Sequence, residues 1–238
     1  MLIKDINELK NADFVSGVTM LVDKPLHWTS FDVVNKIRNA LKKKTGIKRM
    51  KVGHAGTLDP LATGLLIIAI GKDTKKLEQY QNLDKEYSGT MRLGATTKTY
   101  DSEFEPDAFF PVQHIDEALL RETAKKFTGV VEQTPPKFSA VKIKGKAAYK
   151  LARDGQEFEL KKRKVEIYDF NLKNISLPDV DFEVKCQKGT YIRSLVHDFG
   201  KALNSGAYLF SLRRTATGPH KVDDAFDLDE VIRILNSK

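Results

Sequence analysis

The chain has 238 residues, with 40 Lys and Arg against 32 Asp and Glu, a formal net charge of +8 and 41% apolar residues. That length buries a full core unaided, and a single cysteine, Cys186, excludes an internal disulfide and a cysteine-based zinc site. No apolar run approaches a membrane span and no signal-peptide pattern opens the chain, so a cytoplasmic globular protein is expected rather than a membrane, secreted or fibrous one.

Thr29 or Ser30 is placed to cap a helix whose apolar residues Val34, Ile37 and Leu41 follow 3.6-residue spacing. Residues 65–70 form an unbroken apolar run, the pattern of a strand buried on both faces. Residues 87–93 alternate and predict a second strand. Leu120, Ala124 and Phe127 mark a helix stopping at Gly129. A loop at Pro135-Pro136 leads into a short strand over 137–143. Phe182, Val184 and Cys186 alternate with charged residues as a half-buried strand, and Ile192, Leu195, Val196 and Phe199 share one face of a helix ending at Gly200. A last helix places Leu228, Val231, Ile232 and Leu235 on one stripe. The mixture predicts an α+β fold with a mixed, largely antiparallel central sheet and flanking helices. No linker divides it.

Charge is segregated along the chain. Residues 36–51 hold eight basic side chains and no acidic one, residues 137–164 hold ten against three, and residues 101–122 hold seven carboxylates against Arg121. A polyanion-binding face suits this pattern, and so do solvated helix faces. The five histidines are scattered without the i, i+4 pairing of zinc enzymes, and His197-Asp198 is read as a capping or surface pair. Cys186 is read as core. Gly53-His54-Ala55-Gly56 also fits the Gly-x-x-Gly loop of KH modules, a weak match alone.

The run Gly53-His54-Ala55-Gly56-Thr57-Leu58-Asp59-Pro60-Leu61-Ala62-Thr63-Gly64 sets one carboxylate among glycines that permit close backbone approach. Taken alone, Asp59 could simply cap a turn or helix with Pro60 behind it. The segment resembles the catalytic motif of the TruB-type tRNA pseudouridine-55 synthases. Val22-Asp23-Lys24-Pro25 with Trp28-Thr29-Ser30 is similar to the family's N-terminal motif. Asp84-Lys85-Glu86-Tyr87 with Arg92-Leu93-Gly94 is similar to its tyrosine segment. Lys188-Gly189-Thr190-Tyr191-Ile192-Arg193-Ser194 and Leu212-Arg213-Arg214 are similar to its late motifs, so the likeness runs over 17–217.

The resemblance implies the pseudouridine synthase catalytic fold over 1–238, without the C-terminal PUA domain that bacterial members usually carry. It implies isomerisation of the position-55 uridine in the tRNA T-loop, with the base flipped out and no cofactor or metal. Asp59 is the implied catalytic residue, and Arg193 its counter-ion. Tyr87 is implied to stack on the base, Tyr191 to lie against the site, Leu212 to pack on the nucleotide, and His54 to fill the vacated space or stack on a neighbour. Lys24 and Lys75 stand open between phosphate contacts and solvated side chains, and Asp101 aligns with a supporting aspartate. Attack at C1′, attack at C6 and a glycal route all stay open. Ala55 and Thr57 are close to guide-RNA-dependent relatives, but a stand-alone monomer acting on free tRNA is expected.

Overall fold

The computed structural model describes residues 1–237. The chain forms two compact units, Met1–Tyr87 with Arg213–Lys238, and Ser88–Leu212, and the boundary cuts the Lys85–Leu93 and Ala207–Thr217 strands.

In the first unit, the Val18–Lys24 strand lies antiparallel to Ala62–Ile70, from Val18↔Ile70 to Lys24↔Gly64. Its other edge pairs parallel with Phe226–Asp227. Val52–Ala55 runs antiparallel along the far half of Ala62–Ile70, and the backbone of Arg214 comes close beside Gly64 on the near half. The unbroken apolar run at 65–70 serves two cores. Leu66, Ile68 and Ile70 join Val33, Ile37 and Leu41 of the Ser30–Thr45 helix and Val231 and Leu235 of the Leu228–Asn236 helix. Leu65 and Ile67 point the other way, to Leu21, Ala55 and Val222. Thr29 caps the Ser30–Thr45 helix in a reciprocal capping box with Asp32.

In the second unit, Arg163–Ser176 is flanked antiparallel by Asp179–Cys186 and by Gly129–Gln133. Phe127, Phe170, Phe182 and Phe199 meet edge to face in its core, and Cys186 is buried there. The Glu117–Lys126 and Ile192–Ala202 helices complete the α+β arrangement. The strand expected over 137–143 shrinks to Lys142–Ile143, hairpinned to Lys146–Ala147. Lys144 and Gly145 both take positive φ, 47° and 85°, as a two-residue hairpin turn requires. Among the described residues, no helix is long and apolar enough to cross a membrane.

Candidate active site

Asp59 sits half-buried in the loop between the Val52–Ala55 and Ala62–Ile70 strands. The Ala62 amide donates to the Asp59 carbonyl at 3.0 Å with Pro60 next in line, a β-turn that feeds a strand rather than a helix. Its neighbours are held on both sides. The Ser30 hydroxyl accepts from the Leu58 amide at 2.8 Å and donates to the Leu58 carbonyl at 3.1 Å. The His27 amide donates to the Pro60 carbonyl at 2.8 Å. Ser30→Ala leaves the buried Leu58 amide unpaired, so it is expected to lose about 1–3 kcal/mol of stability in thermal or urea melts.

Buried positive charge lies near this loop. Lys24 has no exposed surface and donates to the carbonyls of Pro25 at 2.9 Å and Trp28 at 2.6 Å. Burial pulls its pKa down to about 8, against the opposing pull of the Asp59 carboxylate, and the Arg214 charge lowers it further. Both readings of Lys24, as a phosphate contact and as a solvated side chain, are therefore corrected: a strand-end lysine facing the interior meets carbonyls, not solvent. Lys75 is exposed. Arg213 grips Asp23 with two bonds of 3.0 and 2.6 Å. His54 is half-buried, its Nδ1 has no hydrogen-bond partner, and burial followed by the Arg214 charge keeps its pKa below the usual 6.5. Tyr87 is half-buried in the Lys85–Leu93 strand. Asp59, His54 and Tyr87 thus all belong to the first unit.

The second unit holds Tyr191, Arg193 and Leu212. Arg193 is buried in the first turn of the Ile192–Ala202 helix, and its guanidinium donates to the carbonyls of Thr99 at 3.1 Å and Phe138 at 3.0 Å. It also lies 3.5 Å from Asp101, whose carboxylate accepts from the Thr99 hydroxyl at 2.5 Å and the Glu103 amide at 3.0 Å. Arg193 is not a solvated helix residue. The Tyr191 backbone is bonded in both directions by the Gln133 amide at 2.7 and 2.9 Å, and its ring receives Arg163 at 4.5 Å. Leu212 is half-buried. His197, read as a surface or capping residue, is instead buried and stacked on Tyr100 at 3.7 Å. Burial lowers its pKa to about 4, and its place on the apolar face of the helix, opposite a ring, accounts for the difference.

Two further residues are Ser30, expected only as a helix cap or motif member, and Arg214, quoted only as part of a closing element. Neither carries a signal beyond its motif.

Residues 42–192 match the family model described as TruB family pseudouridylate synthase (N terminal domain), and residues 193–237 match the tRNA pseudouridylate synthase B C-terminal domain. The chain is 52% identical over 217 residues to tRNA pseudouridine synthase B of Flavobacterium johnsoniae, across 91% of this chain and 95% of that protein. It is 48% identical over 235 residues to tRNA pseudouridine synthase B of Parabacteroides distasonis, across 95% of this chain and 100% of that one. A solved chain from a Cbf5-Nop10-Gar1 complex superposes with a TM-score of 0.71 at 30% identity over 96% of this chain, which spans 56% of that chain. With more than half the sequence inside one family model and relatives near 50% identity along nearly the whole of it, the chain belongs to the TruB family of pseudouridylate synthases.

Proposed function

We propose that this protein converts the position-55 uridine in the T-loop of tRNA to pseudouridine, with Asp59 as the catalytic carboxylate. The observation that carries the reading is Asp59 itself, one carboxylate on a loop whose flanking residues are pinned from two directions. The reaction breaks the C1′–N1 bond, forms C1′–C5, and moves the C5 proton away while N1 regains one. It balances without a co-reactant. A fixed carboxylate supports each of the three routes: as a nucleophile at C1′, as a nucleophile at C6, or as a base at C2′. Arg193 is assigned as counter-ion, Tyr87, Tyr191 and Leu212 as base and nucleotide contacts, and His54 as the residue that occupies the flipped base's place, all on the resemblance of their motifs. Flipping costs a few kcal/mol, which RNA contacts must offset. The protein is placed in the cytoplasm, as a monomer acting on free tRNA through its T-arm.

The direct test is incubation of pure protein with unmodified tRNA, followed by pseudouridine mapping. Product at the T-loop uridine without guide RNA supports the reading; product only with an added guide RNA transfers the chain to a guide-dependent mode. The basic segment is tested separately. Lys42 and Lys43 are exposed, whereas Lys44 is half-buried with its ammonium on the Ser237 carbonyl at 3.3 Å. Replacing all three with Ala should flatten the slope of log affinity against log salt by about 1.5 to 2 units, the yield of two phosphate contacts. Filter binding over a salt series reads it, and an unchanged slope returns this cluster to a solvated face.

A further inference from the structure

We propose that Arg214 is a positioning residue for the reaction, one that sets where the Asp59 loop stands; the inference rests on Asp59 as the catalytic carboxylate. Arg214 is 1% exposed and ranks among the largest fully buried side chains of the chain. A buried guanidinium normally carries a carboxylate against it. Among the described residues no carboxylate lies within ion-pair distance of this one. Its hydrogen bonds go to two backbone carbonyls, Nε to Leu65 at 2.7 Å and Nη2 to Gly56 at 3.0 Å.

Those two carbonyls are not arbitrary. Gly56 is the first residue after the Val52–Ala55 strand, where the Asp59 loop departs, and Leu65 lies in the Ala62–Ile70 strand, by which it returns. One rigid, planar group therefore joins both legs of the loop, and its fork geometry fixes their separation in a way an apolar side chain of equal volume cannot. The motif glycines form its seat. Gly56 has φ +84°, and a Cβ there would stand 3.3 Å from Nη1; Gly64 has φ +103°, and a Cβ there would stand 2.3 Å from the Arg214 carbonyl oxygen. Gly56 and Gly64 thus accommodate Arg214 of the same chain.

Electrostatics agree with this placement. The Arg214 charge bears on Lys24 and on His54, and Lys24 in turn responds to Asp59. Burial first and the Arg214 charge second both lower the His54 pKa. A residue present only for packing has no reason to bring an unpaired charge into the interior, since an apolar replacement is normally neutral or stabilising there.

The test uses the whole protein and T-arm RNA. Arg214→Gln and Arg214→Lys are compared with wild type in single-turnover rate at saturating RNA, in RNA Kd and in melting temperature, with rates taken on folded protein well below each melt. Positioning predicts a rate at least tenfold lower for Arg214→Gln with Kd within threefold, and partial recovery in Arg214→Lys, whose ammonium can hold one leg. Gly56→Ala, which crowds Nη1 without removing the charge, should lower the rate in the same way, and its effect should not multiply with that of Arg214→Gln. Folded Arg214→Gln with a saturated rate within twofold of wild type overturns the proposal. If Arg214→Gln does not fold, Arg214→Lys decides alone: a lowered rate at unchanged Kd upholds it, and a rate within twofold of wild type overturns it. Asp59→Asn is run alongside, because turnover by that variant sinks the catalytic reading itself, whatever the Arg214 variants do.

Discussion

Asp59→Asn should reduce turnover by roughly a thousandfold or more while leaving the protein folded, the range expected when a reacting group is lost. The amide keeps the size of the carboxylate and most of its hydrogen-bonding shape, and Asn serves a turn nearly as well as Asp. The backbone contacts that hold the loop, from Ser30 to Leu58, His27 to Pro60 and Ala62 to the Asp59 carbonyl, do not involve the substituted atoms. RNA affinity should stay the same or rise once a negative charge near phosphates is gone. A second readout is internal. The Asp59 charge opposes the burial that holds Lys24 near pKa 8, so its removal should push the Lys24 titration below 8. NMR of the lysine side chain reads this shift. A folded Asp59→Asn protein with wild-type turnover would falsify the assignment.

Gly64→Ala should be strongly destabilising for a single added methyl. Its Cβ would stand 2.3 Å from the Arg214 carbonyl oxygen and 2.7 Å from the Arg214 nitrogen, both backbone atoms of the neighbouring strand. No rotamer relieves such a contact, so the strands must part. The residue also has φ +103°, a region that strains any residue bearing a Cβ. Strain of about 1–3 kcal/mol joins a packing penalty of similar size, a large share of the 5–15 kcal/mol typical of a domain. Loss of soluble protein, or a urea midpoint far below wild type, is the expected outcome. Wild-type stability would mean that the strand spacing is looser than described.

What could be read from the sequence depended on whether burial left a periodic trace. The helices at 30–45 and 228–236 and the strand at 65–70 were legible because, Ser30 apart, their buried residues are apolar. Arg163–Ser176 was not legible, although Val165, Ile167, Phe170 and Leu172 face inward. Register shifts between Ile167 and Asp169 and between Leu172 and Ile175 break its two-residue period, and basic residues at its start mask the rest. Ala207–Thr217 escaped for another reason: one of its buried positions is Arg214, which sequence reasoning assigns to the surface. The division into two units left no compositional mark because its boundaries fall inside strands. The resemblance names Asp59, Tyr87 and Arg193 as candidates, but the burial of Lys24 and the contacts of Ser30 and Arg214 arise from tertiary placement that no local spacing records.

The two-core strand at 65–70 also bears on where the molecule can yield. Each of these residues is wholly buried, and 67–70 are paired on both edges, with 18–21 on one side and 52–55 on the other. Amides in such a position exchange with solvent only when the whole cooperative unit opens. A slip of one residue would swap the inhabitants of the two cores, so sliding is closed as well. With Gly56 and Leu65 both held by Arg214, any adjustment made as RNA binds is confined to residues 57–61 of the Asp59 loop, while its trailing anchor stays as immobile as anything in the chain. Hydrogen exchange with and without bound T-arm RNA should show it: slowed exchange confined to the loop, and rates at 65–70 governed in both cases by global unfolding.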